Sequence, residues 1–228
     1  PEAAPVNPED QLSWVEANDA MDVIIGQCYQ DKTFCGKSSL PVSCKVAYHA
    51  LFANGPSATA FLREYHLKNG DQEPIDVGLW SREPLPEGKG DGSEKNLIFK
   101  REVRFVHPLS YKIGPSKTNV LETQHGSFLS NGGFRVEVAG HNLDVPYSDQ
   151  FRVESTFELI PTSDSSCELS AYVTTRFIGK KPMVSSIIEK GTITDTAPAY
   201  KSLCDIAKVY VEKFDEELHA ADRKVPTA

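Results

Sequence analysis

From Ile75 onward apolar and polar residues alternate with a period of two, whereas before Asn69 they recur at helical spacing. The alternating runs predict strands near residues 75–82, 96–106, 118–125, 134–139, 150–160 and 168–177. The clearest run places Phe151, Val153, Ser155, Phe157 and Leu159 on one face and Arg152, Glu154, Thr156 and Glu158 on the other. Turn-rich segments at 87–94, 130–133 and 161–166 separate the runs, and such short connections predict an antiparallel meander. Upstream, a strand is predicted over about 32–40. Ser43 then offers an N-cap for a helix to about Phe52, the Asn54-Gly55-Pro56-Ser57 segment breaks it, and a second helix runs over about 58–68. Near the C-terminus, Tyr200, Leu203, Cys204, Ala207, Tyr210, Val211, Phe214 and Leu218 form the i, i+3, i+4, i+7 stripe of a helix lying on a sheet. Pro198 removes a backbone donor, which predicts a kink or a restart there with Thr196 as the new cap.

The inward faces gather Phe99, Val103 and Phe105; Phe134, Val136 and Val138; Phe151, Val153 and Phe157; and Leu169, Val173 and Phe177. On pattern alone, a filled core outweighs a cavity as the fate of such residues. Residues 1–12 read as a Pro- and acid-rich linker, 13–30 as an N-terminal extension and 222–228 as a tail. One domain over 31–221 remains.

Composition narrows the function classes. Hydrophobic content of 39% and charged content of 25% are those of a globular domain, and no apolar run approaches the ~20 residues of a spanning helix. No leader is visible, so any membrane anchor is expected outside this sequence. A net charge of -8 argues against nucleic acid, which demands a basic footprint. The five cysteines form no C-x-x-C pair, which disfavours zinc or dithiol chemistry and suits reduced thiols facing the cytosol. Cys167 and Cys204 read as small core residues, and Cys44 at a helix start is the one candidate for a reactive thiol. The six histidines make no H-x-x-x-H pair, and Gly88-Lys89-Gly90-Asp91-Gly92 lacks the context of a phosphate loop. His141 and Asp144 could be drawn as an acid–base pair, but Asp before Val-Pro favours turn chemistry, with Asp144 bonding its own backbone. These features predict neither catalysis nor a cofactor.

Three further pieces carry a resemblance. His141-Asn142-Leu143-Asp144-Val145-Pro146-Tyr147 is a polar turn running into the clean strand; Pro108-Leu109 and Ile113-Gly114-Pro115 form an earlier turn; Ile188-Glu189-Lys190-Gly191 opens the C-terminal helical region. In this order the chain resembles, over about Asp31 to Leu218, the VASt domain, the StART-like sterol-transfer module of fungal Lam/Ltc, animal Aster and plant VAD1-like proteins. Ile-Gly-Pro and Glu-Lys-Gly are similar to the fungal Lam type, and Asp-Val-Pro-Tyr to the plant domains. Pro182-Met183 stands where the family often has tryptophan.

The resemblance implies a helix-grip, α+β fold in which a curved antiparallel sheet of six or seven strands wraps a long C-terminal helix around an apolar cavity. It implies a sterol of the ergosterol or cholesterol class as ligand, transfer between membranes, and no catalysis. Its setting would be a monomer on the cytosolic face of endoplasmic reticulum contact sites. The expected cavity wall is Phe99, Phe105, Gln124, Phe134, Val136, Phe151, Val153, Ser155, Phe157, Val173, Thr175, Tyr200, Leu203 and Ala207, with Gln124, Ser155 and Thr175 as candidate partners of the sterol hydroxyl. The expected mouth comprises Phe52, Gly55, Pro56, Phe61 and Leu62 around a lid-like loop, with Gly191 nearby. Lys112, Lys117, Lys180, Lys181 and Lys190 are the expected contacts to anionic headgroups. The two cationic clusters, Lys100, Arg101, Arg104, His107, Lys112 and Lys117 around the earlier turn and Arg176, Lys180, Lys181 and Lys190 around the last, have the competing reading of solvated strand edges. A carrier of another apolar ligand, or an interaction module with a filled core, are the alternatives.

Overall fold

The computed structural model describes residues 31–84, 97–109 and 115–222. The predicted linker, N-terminal extension, glycine-rich hairpin tip, Lys112 and the Ile-Gly portion of the earlier turn lie outside them.

The chain opens with strand β1 (Thr33–Leu40), followed by helices α1 (Cys44–Leu51) and α2 (Pro56–Lys68). Ser43 caps α1 by accepting a hydrogen bond from the Val46 amide at 3.3 Å. Pro56 occupies the first turn of α2, where its missing N–H leaves no partner wanting. Strands β2 (Gln72–Val77) and β3 (Ser81–Pro84) divide the single run expected over 75–82. They are followed by β4 (Leu97–Pro108), β5 (Lys117–Phe128), β6 (Phe134–Asn142), β7 (Phe151–Ser163) and β8 (Ser166–Phe177). The strands are longer than predicted because polar residues at both ends still pair in the ladder.

All strand pairings are antiparallel, in the order β1-β8-β7-β6-β5-β4-β2 with β3 beside β4. The sheet therefore has eight strands rather than six or seven. The extra one comes from the break at Gly78, whose amide donates to Glu102 O at 2.8 Å while its Cα packs against that strand. Helix α3 (Ser185–Asp222) lies across the sheet, against β1 and β8, and completes the helix-grip arrangement. It runs through Pro198 without the restart predicted at Thr196. Pro198 is exposed, so the carbonyl it orphans can turn toward solvent.

The interior divides along the strands. At one end Phe134 is fully buried, with ring centroids 4.7 Å from Tyr48 and 4.9 Å from Phe128, and Trp80 and Phe52 close the cluster. Leu203, Ala207 and Val211 of α3 pack there too. At the other end the N-terminal half of α3 stands over a hollow.

Candidate ligand-binding cavity

That hollow is a cavity of about 460 Å³. Its floor is the sheet, through Phe105, Val120, Glu122, Val138, Gly140, Val153 and Ser155; its roof is α3 from Val184 to Tyr200. The C-terminal end of α2 supplies one side, and Leu109, Pro115 and the turn at Val145–Tyr147 supply the rim. Gly140 helps to create the space. It pairs opposite Glu122, and a Cβ there would meet nothing closer than Val153 O at 3.4 Å, so the floor beside Glu122 is bare.

Of the residues expected to form the wall, Phe105, Phe151, Val153, Ser155 and Tyr200 line the cavity. Phe99, Phe134, Val136, Phe157, Val173, Leu203 and Ala207 do not; they belong to the filled end. Period-two alternation identifies the inward face of a strand but not which stretch of it is covered. Among the candidate hydroxyl partners, Ser155 is hydrogen-bonded to Tyr200 Oη within the cavity. Gln124 does not line the cavity; it is buried on the same face of β5 as Glu122, accepting from Arg101 Nε at 2.8 Å and donating to Glu122 Oε2 at 2.8 Å. Thr175 lies off the cavity, and its buried hydroxyl has no hydrogen-bond partner among the described residues.

The loop expected as a lid lies away from the cavity. Phe52 and Phe61 are buried in the filled core with Leu62, and neither Gly55 nor Pro56 lines the cavity. Asn54 clamps the loop, accepting from the Trp80 amide at 2.7 Å and donating to Trp80 O at 3.2 Å. Ser57 Oγ donates to Ala50 O at 3.1 Å. Of the residues predicted for the mouth, Gly191 does line the cavity, with open space where a Cβ would stand.

The rim instead comes from the β6–β7 turn and the start of α3. Tyr147 holds a left-handed backbone (φ 66°) and is 47% exposed. Ile187 is 73% exposed, and Met183 just before the helix is fully exposed. The turn is fastened to β5 because Asp144 Oδ2 accepts from Asn119 N at 2.7 Å and Asn119 Nδ2 at 2.9 Å, which holds its carboxyl below the usual range. Asp144 thus bonds a neighbouring strand rather than its own backbone, and it has no part in an acid–base pair with His141. Lys117, Lys180, Lys181 and Lys190 are all exposed. Lys181 pairs with Glu189 at 3.2 Å and sits over the Phe177 ring.

One wall is polar, and sequence reading missed it. Asp71, at the end of α2, accepts from His66 Nδ1 and His107 Nδ1 at 2.7 Å each. Burial pushes the Asp71 carboxyl up, but the two imidazole hydrogen bonds outweigh it and hold the group below its usual range. Burial raises Glu122 above the usual carboxylate range. Arg101 stacks over Trp80 at 4.2 Å, and burial lowers it to about 9. Two of the cations assigned to the strand-edge patch, Arg101 and His107, therefore face inward. The available signal was the register: Arg101, Phe105 and His107 share the odd-numbered face of β4 with Phe99 and Val103. Cys44 is buried, and its hydrogen bond with Cys167 together with that burial pushes the thiol up, away from the reactive range. Among the described residues no group of His, Cys, Asp and Glu could hold a metal ion, and no helix is long and apolar enough to cross a membrane.

The family described as VAD1 Analog of StAR-related lipid transfer domain matches residues 35–195. The chain belongs to the VASt family. It is 27% identical over 167 residues to Protein Vascular Associated Death 1, chloroplastic, of Arabidopsis thaliana; that match covers 72% of this chain and 25% of the relative. The chain thus spans about a quarter of the length of this curated VASt relative. Among solved structures, TTHA0849 from Thermus thermophilus is similar over 78% of this chain and 95% of its own, at 15% identity and a TM-score of 0.42. Norcoclaurine synthase from Thalictrum flavum is similar over 83% and 92%, at 14% identity and a TM-score of 0.35.

Proposed function

We propose that this VASt domain binds a sterol in the cavity and carries it between membranes without chemistry. The observation that carries the proposal is a largely apolar hollow of about 460 Å³, the size range of small-molecule sites, beneath a rim that exposes Ile187 and Tyr147, with the exposed Met183 next in sequence to the lining Val184. Burying ~400 Å² of apolar ligand surface is worth roughly 10 kcal/mol before association costs, enough for reversible binding. The exposed apolar rim gives the mouth a means of entering a headgroup layer. The nearby lysines give an acidic protein a local attraction to anionic lipid. The setting that fits this reading is the cytosolic face of an endoplasmic reticulum contact site, with the anchor elsewhere in a longer protein. The domain acts as a monomer, and no nucleic acid is involved.

The test is transfer of a fluorescent sterol between donor and acceptor liposomes. Transfer is expected without nucleotide and in the presence of EDTA. It should rise with anionic lipid and fall with salt, because exposed charges are screened within ~10 Å at 0.1 M. A requirement for nucleotide or metal would overturn the proposal. A carrier of another apolar ligand is the second reading, favoured by the polar wall of the cavity. Saturable binding without preference for sterols would support it.

A further inference from the structure

The hydrogen bonds of the polar wall fix which atoms remain for a ligand and in what role. Arginine can only donate, so Arg101 Nε orients the Gln124 amide with its oxygen toward the guanidinium and its NH₂ toward Glu122. Glu122 Oε2 is thereby an acceptor already in use, and Oε1 is left for the cavity that Glu122 lines. Beside it, Gly140 leaves room for a ligand atom. Across the wall, Asp71 engages Nδ1 of both His66 and His107. With Nδ1–H donating to Asp71, Nε2 is the one ring nitrogen of His66 left for a ligand, an acceptor in that tautomer. His66 is buried and packs on Phe105 at 4.2 Å, so its ring cannot swing to exchange the two nitrogens. The cavity hydroxyls of Tyr65, Ser155 and Tyr200 can rotate to suit either partner; the two fixed groups cannot. A buried acceptor facing a ligand that brings only acceptors stays unsatisfied, which is the costly outcome.

We propose that Glu122 and His66 form a selectivity site that admits apolar ligands whose polar end is a hydrogen-bond donor, an alcohol, and disfavours the corresponding ketone or ester. The proposal rests on the carrier reading above. It differs from that reading in what it forbids.

The test titrates the purified protein, at mildly alkaline pH, with a free sterol and with the ketone of the same ring system, each by displacement of a fluorescent sterol. The wild type is expected to bind the alcohol about tenfold or more tightly. Glu122→Gln replaces an acceptor with an amide that can donate. It is expected to bring the alcohol-to-ketone ratio toward one, with thermal unfolding reporting that the variant folds. If that variant does not fold, the wild-type ratio decides alone. Equal wild-type affinities for alcohol and ketone overturn the proposal while leaving the carrier reading intact. A preference that survives both Glu122→Gln and His66→Phe overturns its assignment to these groups. Binding of neither compound overturns both readings.

Discussion

Gly191 lines the cavity from α3, and the space where its Cβ would stand is open. A long side chain there meets no backbone, and replacing a helical glycine gains up to about 1 kcal/mol of helix propensity. Gly191→Arg is therefore expected to abolish sterol transfer while circular dichroism and melting temperature stay level or rise. A wild-type transfer rate in the folded variant would refute the role given to this position. Asp71 acts on stability instead. Its carboxyl is lowered in the folded state, so its contribution is complete above the unfolded value of about 3.9 and is lost as pH falls through the folded one. Asp71→Asn keeps the shape but removes the charge that both imidazoles share. It is expected to cost about 1.5–3 kcal/mol at neutral pH and to flatten the acid limb of the stability profile. Denaturant midpoints measured across pH check both. An unchanged acid limb would mean that the two hydrogen bonds carry no net energy.

Among elements, the α1–α2 loop lies away from the cavity, whereas the start of α3 lines it, as the resemblance suggested for Gly191. The loop is clamped by both hydrogen bonds of Asn54 to Trp80, so Asn54→Ala is expected to lower stability by about 1–2 kcal/mol and leave transfer per folded molecule unchanged. Faster exchange in that variant would restore the loop as a gate. Met183 is fully exposed, so Met183→Glu should leave folding and soluble-sterol affinity untouched while slowing transfer severalfold. Equal rates would remove the α3 approach from the membrane contact. The elements themselves were largely legible. Ser43 and Pro56 marked helix starts, period-two runs marked six strand regions, and the Tyr200–Val211 stripe marked the face of α3 on the sheet. What could not be read was the division of the inward face into filled and hollow ends. Phe134 and Val153 obey the same alternation, and only the placement of the helices over the sheet separates them. The wall of His66, Asp71, His107 and Glu122 was illegible for a related reason. Its members are scattered over α2, β4, β5 and a turn, and each alone reads as a solvated polar residue.

At the scale of the molecule, one sheet and one long helix grip serve two purposes. The aromatic cluster about Phe134 supplies the packed core, which lets the opposite end remain open without unfolding. The polar wall sits on the hollow side, where its desolvation is relieved by its own hydrogen-bond network. A net charge of -8 disfavours attraction of the whole domain to anionic bilayers, so the proposed membrane contact rests on the lysines and the apolar rim. The central claim is that the hollow end is a ligand site rather than unfilled core. Its most direct test is equilibrium titration of the wild type and Gly191→Arg with a fluorescent sterol. Saturable one-to-one binding, displaced by unlabelled sterol and lost in the folded variant, is the predicted result. Binding that fails to saturate, or that persists unchanged with the cavity occupied by arginine, would contradict it.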